Sequence, residues 1–290
     1  MTLTVIAGPT ASGKSGLALA LAKQWGAEIV GADSQQVYRH FDVGTAKPSA
    51  AELAEVPHHL ISVVDPHEAF SAARYQSMAD AAISDIHARG KRAIVVGGTG
   101  LYLRILLHGV VAAVATDAAL RARLEVDDDA TLHARLAEVD AASAAKLPVR
   151  DRVRIIRALE IHQLSGKAAS LHRAEHAFAA DRYPFKLWVL SPPRESLYAA
   201  INARTKAMFD GGLLDEVKAL VGQGYREAAA MRSVGYVEAL AVVEGRLAID
   251  EAIATAAQRT RHYAKRQLTW FRKEAGAVFL EPPWNLGAAY

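Results

Sequence analysis

The sequence predicts an α/β fold, in which a parallel sheet is flanked by helices and carries a mainly helical inserted lobe. Short apolar runs alternate with helical segments early in the chain, which is typical of a parallel sheet with helices on both faces. From Thr116 to Asp181 the strand pattern is lost, and Ala, Leu, Arg and Asp recur at helical spacing. A strand pattern returns at Lys186–Leu190. We therefore expect a core of residues 1–115 and 182–290 and a lobe at 116–181.

The chain opens with a predicted strand, a glycine-rich loop and a helix. Leu3–Ala7 is apolar and partly β-branched, which predicts a buried strand ending at Gly8. Lys14–Trp25 has apolar residues one turn apart, which predicts a helix, and Gly26 is a natural stop. The next apolar run, Glu28–Ala32, predicts a second strand.

The remaining core elements are predicted from similar signals. A helix at Ser71–Arg89 is followed by glycine, and the strand Arg92–Val96 ends at a pair of glycines. Two prolines end the strand Lys186–Leu190. Three helices and a short strand are expected after it, at Glu195–Asp210, Leu213–Gln223, Asp250–Lys273 and Ala277–Leu280.

The composition excludes several classes of protein. The 290 residues include no cysteine, which excludes disulfides, cysteine-ligated zinc and a thiol nucleophile, and fits a reducing cytoplasm. No apolar stretch of about 18 residues predicts a membrane span, and no secretory signal precedes the first strand. The net charge is only +3, so affinity for nucleic acid must come from local clusters of Lys and Arg. We expect a cytoplasmic monomer.

The loop after the first strand fits the pattern G-x-x-x-x-G-K-[ST] and predicts a P-loop NTPase-like core. Its residues are Gly8, Pro9, Thr10, Ala11, Ser12, Gly13, Lys14 and Ser15. Backbone N–H groups of such a loop converge on one anion at a helix start, where the helix dipole adds positive charge. Lys14 adds a full charge, and the Ser15 hydroxyl can hold Mg²⁺ against the same phosphate oxygens. The pattern predicts a bound di- or triphosphate but leaves open whether ATP is the substrate.

Polar residues follow two further predicted strands. Asp33 comes directly after the second strand, and Thr99 follows the third. Because ligands bind beyond the carboxyl ends of parallel strands, both residues should face the phosphate loop. A carboxylate there could take a proton from an attacking nucleophile. From position alone, Asp33 is explained equally well as a turn residue, and Thr99 better as part of a glycine turn.

Two segments concentrate basic residues. Their cations are Lys146, Arg150, Arg152, Arg154 and Arg157 in the first, and Arg259, Arg261, Lys265, Arg266, Arg272 and Lys273 in the second. The second segment is interleaved with Tyr263, Trp270 and Phe271, and cations with stacking rings are typical of RNA-binding surfaces. A solvated helix whose rings pack on the core explains it equally well.

Short blocks from about Val5 to Phe271 form an ordered set along nearly the whole chain. They are Gly8–Ser15, Asp33–Tyr38, Gly44–Pro48, Gly97–Thr99 with Leu101–Tyr102, Arg157–Glu160, Val234–Tyr236 and Lys265–Gln267 with Trp270. In this order they resemble the tRNA dimethylallyltransferase family, also called tRNA isopentenyltransferases, in its bacterial form. The set is far more specific than any one block.

The resemblance implies transfer of a dimethylallyl group from dimethylallyl diphosphate to the N6 amine of the adenosine 3′-adjacent to the tRNA anticodon, with release of diphosphate. It implies that the phosphate loop, Arg204 and Mg²⁺ on Ser15 stabilise the departing diphosphate. Asp33 corresponds to the catalytic carboxylate and Thr99 to a catalytic residue that contacts the target adenosine.

The resemblance also implies that the lobe contacts the anticodon stem-loop of tRNA, from which the target base must be extracted. The expected tRNA contacts are Ser34, Gln35, Gln36, Thr99, Arg121, Val153, Arg154, Ile155, Ile156, Arg157, Arg232, Ser233, Val234, Gly235, Tyr236, Val237, Lys265 and Arg266. Two positions depart from the family pattern. Val153 stands where the family often has Gln, and Ala200 stands where it usually has Arg, so diphosphate binding would rest more on Arg204 and Lys14.

Three other functions are weighed against this one. A prenyltransferase acting on free adenine nucleotides needs neither the lobe nor the basic segments. A small-molecule P-loop kinase is disfavoured because the strand Arg92–Val96 ends in glycines rather than in an acidic Mg²⁺ ligand. The pairing of Asp33 with Thr99 at the ends of two strands also disfavours it. A non-catalytic RNA-binding module would not need the complete phosphate loop with Lys14 and Ser15.

Overall fold

The computed structural model describes residues 1–111 and 114–284. The described chain forms two compact units. Unit 1 consists of residues 1–107 together with the chain from Arg182 onward, and unit 2 is His108–Asp181. Unit 2 thus begins a few residues before the boundary expected from the sequence. Residues 112–113 and 285–290, which the expected core included, lie outside the described residues.

Unit 1 is built on a parallel sheet. Its strands are β1 (Leu3–Ala7), β2 (Glu28–Gly31), β3 (His58–His59), β4 (Ala93–Gly97), β5 (Phe185–Leu190) and β6 (Ala277–Leu280). The six-stranded order is β3-β2-β4-β1-β5-β6, and every pair is parallel. β1 is central, with Val5 opposite Val95 on β4 and Leu187 on β5. This sheet, flanked by helices, confirms the predicted α/β fold.

The helices are numbered along the whole chain. The first four are α1 (Lys14–Trp25), α2 (Ala50–Glu55), α3 (Ala72–Ala88) and α4 (Gly100–His108). Unit 2 holds α5 (Ala118–Leu124), α6 (Asp129–Val139), α7 (Ala141–Ala144), α8 (Arg152–Ser165) and α9 (Ala169–His176). Unit 1 continues with α10 (Arg194–Asp210), α11 (Leu213–Gly222), α12 (Tyr236–Val243) and α13 (Ile249–Phe271). No helix in the described ranges is long and apolar enough to span a bilayer.

The two faces of the sheet are covered by different helices. Successive residues of β1 point to opposite faces, as the pleat requires. Val5 is fully buried in a cluster with Ile83 of α3, whereas Ile6 is fully buried in a cluster with Leu21 of α1. Because both faces of the sheet are covered, the central strands β1 and β4 are almost wholly apolar, which explains why the sequence shows them as continuous apolar runs.

Unit 2 has its own helical core. Leu120, Leu132, Leu136, Ile155 and Leu159 bury their side chains against one another there. Asp117, Asp128 and Asp151 each cap the helix that follows by accepting a backbone N–H near its start. The apolar spacing and the caps together explain why this segment reads as helical.

Candidate active site

The site lies where β1, β2 and β4 end. The residues that follow these strands are the phosphate loop Gly8–Ser15, Asp33 and Thr99, and they meet at one edge because all three strands are parallel. Helices α10 and α13 add Arg204 and Tyr263.

Two neighbouring cavities occupy this edge. A smaller one of about 110 Å³ is lined by Lys14, Ser15 and Gln36. A larger one of about 300 Å³ is lined by Ser34, Gln35 and an apolar wall. Thr10, Asp33, Thr45, Arg204 and Tyr263 line both cavities. The cavity beside the phosphate loop and the cavity with the apolar wall therefore meet at a carboxylate.

The phosphate loop has the backbone geometry that its glycines allow. Gly8 has φ 143°, and a Cβ there would lie 2.7 Å from the Leu190 carbonyl oxygen, so no larger residue fits. Gly13 precedes the first turn of α1. The Lys14 ammonium donates to the Pro9 carbonyl at 2.6 Å. The loop is thus closed on itself around the start of α1.

Lys14 and Arg204 bring positive charge to the smaller cavity. Burial and, to a smaller extent, the Arg204 charge lower the pKa of Lys14 to about 7, against the opposing effect of Asp33. Burial likewise lowers the pKa of Arg204, which Asp33 partly offsets. Two cations this close and this desolvated favour an anionic ligand.

Asp33 is both a turn residue and a site residue, so the two interpretations of the sequence are compatible. Its Oδ1 atom accepts the backbone N–H groups of Gln35 at 2.8 Å and Gln36 at 3.3 Å. These bonds fix the turn 33–36, and the carboxylate still lines both cavities. The orientation of the carboxylate is therefore set by the backbone.

Thr99 is tied to this turn. Its Oγ1 accepts the Ser34 backbone N–H at 3.0 Å, and its own N–H donates to the Ala32 carbonyl at 3.2 Å. The Thr99 side chain lies near the Tyr263 hydroxyl, whose pKa it lowers. Burial and the nearby Asp33 charge raise the pKa of Tyr263 to about 12, so its hydroxyl stays protonated. Asp33 and Tyr263 line both cavities, and Thr99 adjoins them through its contact with Ser34 but is not among the residues that line the cavities.

The larger cavity has a wall of aliphatic and aromatic side chains. They are Ile201, Met208, Phe209, Leu213 and Ala256. The same cavity is also lined by Arg232, Ser233, Val234 and Gly235. The cavity can therefore hold an apolar group beside a polar one.

The expected tRNA contacts in unit 1 fall into different environments. Ser34, Gln35 and 232–235 line the larger cavity, Gln36 lines the smaller one, and Lys265 and Arg266 are exposed. Val237 is half-buried, but the Tyr236 side chain is fully buried. The Tyr236 hydroxyl donates to the Glu216 carboxylate and accepts the Gly44 N–H at 3.1 Å. A tRNA contact at Tyr236 could use its backbone, whereas its side chain holds the loop at Gly44.

The expected contacts in unit 2 are also of two kinds. Val153 and Arg154 are exposed on α8, with the Val153 side chain 80% accessible, whereas Ile155 and Ile156 are buried in the core. Consecutive positions on a helix point in different directions, so a run of five cannot all face one ligand. The side chains of Ile155 and Ile156 support the position of Arg154 rather than offering a surface.

Arg121 and Arg157 share the carboxylate of Glu160, which is fully buried. Arg121 binds both of its oxygens at 2.9 Å, and Arg157 donates to one oxygen at 2.5 Å. Burial alone would raise the pKa of Glu160, but these hydrogen bonds outweigh burial and lower the pKa to about 2. Both arginines remain partly exposed, at 39% and 30%, so they can also reach a phosphate.

Several residues of the site were not singled out from the sequence for the places they take. Thr45 lines both cavities. Tyr263 and Gln267 lie on α13, where the pattern of apolar and basic residues does not show which face of the helix lines the site and which faces solvent. Tyr263 and Gln267 are four residues apart, and this spacing was the one sequence signal that they share a face of the helix. Phe271 is buried and Trp270 half-buried, so these rings pack on the core.

No group of three or more His, Cys, Asp or Glu side chains in the described chain could hold a metal ion. The Ser15 hydroxyl is exposed at the start of α1 and lines the smaller cavity with Lys14. Mg²⁺ commonly keeps several waters and binds through few protein atoms together with phosphate oxygens. The lining therefore fits a hydrated Mg²⁺ that is held mainly by a bound phosphate ligand.

Comparison with known proteins places the chain among one kind of enzyme. The model of the IPP transferase family matches residues 36–274. The tRNA dimethylallyltransferase of Myxococcus xanthus is 64% identical over 98% of this chain and 93% of its own. That of Anaeromyxobacter sp. strain Fw109-5 is 53% identical over 98% and 95%.

Solved structures are similar over the same length. The tRNA isopentenylpyrophosphate transferase of Bacillus halodurans matches with a TM-score of 0.71 and 38% identity, over 97% of this chain and 89% of that one. A eukaryotic dimethylallyltransferase acting on tRNA matches with a TM-score of 0.85 and 30% identity, over 97% and 74%.

Proposed function

The chain belongs to the IPP transferase family, the tRNA dimethylallyltransferases, and we propose that it carries a dimethylallyl group from dimethylallyl diphosphate to the N6 amine of the adenosine 3′-adjacent to the anticodon. The observation that carries the proposal is the pair of cavities that meet at Asp33. One offers cations for a diphosphate and the other an apolar wall, which a five-carbon allylic group needs and a phosphoryl transfer does not.

The smaller cavity would hold the diphosphate. The start of α1, Lys14 and Arg204 all favour negative charge, which grows on the diphosphate as its bond to the allylic carbon breaks. Removing one such donor typically costs about 3 kcal/mol of barrier. Mg²⁺ held by Ser15 and the phosphate oxygens would supply further neutralisation of that charge.

Asp33 would act on the amine. The adenine amine is a poor nucleophile because its lone pair is delocalised into the ring. A carboxylate hydrogen-bonded to it orients the nitrogen and takes one of its protons as the new C–N bond forms. The electron pair of the broken C–O bond leaves with the diphosphate, so charge moves from one cavity towards the other. Thr99 and Tyr263 lie beside Asp33 and would contact the base.

The exposed cations would bind the anticodon stem-loop. Lys265 and Arg266 on α13 and Arg154 on α8 are exposed, as phosphate contacts require. The free energy of these contacts would offset the cost of extracting the target base from its stack, which is about a few kcal/mol. We propose that the protein acts as a monomer in the cytoplasm, a reducing compartment that its lack of cysteine fits.

Label transfer tests the proposal. The purified protein is incubated with labelled dimethylallyl diphosphate, Mg²⁺ and either tRNA or AMP, and the label is followed into each acceptor. We expect transfer to tRNA alone. Transfer to AMP would indicate a free-nucleotide prenyltransferase, and consumption of ATP without alkylation of tRNA would contradict the proposal.

The role of Asp33 is tested in the same assay. Asp33→Ala should abolish transfer and leave tRNA affinity largely intact, because the RNA phosphates are bound elsewhere. Near-normal turnover of Asp33→Ala would show that another group accepts the proton.

A further inference from the structure

A single buried amide bridges the two halves of the site. Gln267 lies on α13 and is only 6% exposed. Its Oε1 atom accepts the Thr10 backbone N–H at 2.9 Å, and its Nε2 atom donates to the Gly98 carbonyl at 2.8 Å. Thr10 belongs to the phosphate loop, and Gly98 precedes Thr99 in the turn that contacts Ser34. One side chain thus joins the loop on the leaving-group side to the turn on the acceptor side.

The approach of this amide to Gly98 is unusually close. A Cβ at position 98 would lie 2.2 Å from the Gln267 Nε2 atom and 3.3 Å from the Gly8 carbonyl oxygen. Only glycine leaves room for the bond. The chemistry of the partners also fixes the amide orientation, because a backbone N–H requires the oxygen and a carbonyl requires the NH₂ group.

We propose that Gln267 is a positioning residue that sets the distance between the departing diphosphate and the target amine. The inference rests on the proposed prenyl transfer. Gln267 holds the loop at Thr10 and, through Gly98, holds the Thr99–Ser34 contact beside Asp33. Transfer depends steeply on this separation, since a misplacement of about 1 Å can cost on the order of a hundredfold in rate.

Two substitutions separate positioning from mere packing. Gln267→Met keeps the approximate size but removes both hydrogen bonds. Gln267→Glu keeps the acceptor for Thr10 N–H, but an ionised carboxylate repels the Gly98 carbonyl. Once protonated, the introduced carboxyl again has one donor and one acceptor, as the amide does. Gln258, exposed on the same helix, supplies matched controls as Gln258→Met and Gln258→Glu.

The experiment measures single-turnover transfer to tRNA by each full-length variant as a ratio to wild type across pH, with thermal unfolding of each. We expect Gln267→Met to be slower by about a hundredfold at every pH. The deficit of Gln267→Glu should shrink as pH falls through the pKa of the introduced carboxyl. Both Gln258 variants should match wild type.

A folded Gln267→Met with the wild-type rate would overturn the inference. A Gln267→Glu rate ratio that does not change with pH would also overturn the inference. This second result tests the inference even if Gln267→Met does not fold. Failure of the wild-type protein to alkylate tRNA would instead overturn the proposed function, so the two failures are distinguishable.

Discussion

At the scale of the residue, Asp33 fixes the turn through its Oδ1 atom and, in the proposed reaction, also accepts a proton. Asp33→Asn keeps an oxygen for the N–H groups of Gln35 and Gln36 but cannot take a proton. We expect transfer to slow by about 10²–10⁴-fold while tRNA affinity changes little, because general-base catalysis is worth roughly that much. Single-turnover rates and a tRNA binding titration check this. An Asn variant that is as fast as wild type would place the base elsewhere.

Lys14 should make diphosphate binding depend on pH. Because burial lowers the pKa of Lys14 to about 7, the free protein loses this charge as pH rises above 7. A bound diphosphate favours the charged form, so binding takes up a proton above pH 7. Affinity should then fall with rising pH, by up to about tenfold per unit.

Calorimetry of diphosphate binding in buffers of different ionisation enthalpy measures that proton uptake. The substitution Lys14→Met should remove this proton uptake and weaken diphosphate binding below pH 7. The titration of the ligand itself is common to both proteins, so the difference between them isolates Lys14. Identical pH profiles for the two would contradict the assignment.

At the scale of the element, the loop 42–45 is held by α11 and α12. The Glu216 carboxylate accepts the Val43 N–H at 2.7 Å and the Tyr236 hydroxyl. Tyr236→Phe should lower the free energy of unfolding by about 1–3 kcal/mol, because it removes a hydrogen bond to a charged group. Urea unfolding checks this, with Tyr225→Phe as the control. Equal stability of the two variants would show that the hydroxyl does not hold the loop.

The stability of unit 2 should depend on the Glu160 carboxylate. Removing the charge between Arg121 and Arg157 leaves two partly exposed arginines without a carboxylate, so the loss of stability should be smaller than the cost of breaking a fully buried pair, which is about 3–5 kcal/mol. Glu160→Gln should therefore speed hydrogen exchange of the α8 amides in the full chain at pH 7.

The pH dependence of this effect has a definite sign. The pKa of Glu160 is about 2 in the fold, against its ordinary value of 4.5. Its stabilisation is complete above 4.5 and is lost as pH falls towards 2. The difference in exchange between wild type and Glu160→Gln should thus narrow below pH 4.5. A difference that stays constant down to pH 3 would contradict this account.

At the scale of the whole molecule, a net charge of +3 hides local concentrations of positive charge. Raising salt should weaken tRNA binding much more steeply than diphosphate binding, because each RNA phosphate contact releases counterions. Lys265→Gln and Arg266→Gln should each reduce the salt slope for tRNA by about 0.7–0.9. Equal slopes for tRNA and diphosphate would count against the basic surface.

The fold and the site were predictable to different degrees. β1, the phosphate loop and α1 are local signals, so the sequence places them within a residue or two. The elements α2, β3, α4 and α12 were not predicted, because six, two, nine and eight residues are too short to show a clear period. Asp33 and Thr99 follow strands and were predictable, but Gln267 and Tyr263 lie far along the chain. Only the packing of α13 brings them to the loop.

That distance along the chain has a consequence for biosynthesis. A nascent chain that has not yet reached Ile249 has already made β1 to β5, yet it lacks Tyr263 and the amide that joins Thr10 to Gly98. Most of the sheet is thus synthesised before the last residues of the candidate active site. A polypeptide that ends before this late stretch therefore carries the phosphate loop and Asp33 but lacks the residues of α13 that complete the cavity lining.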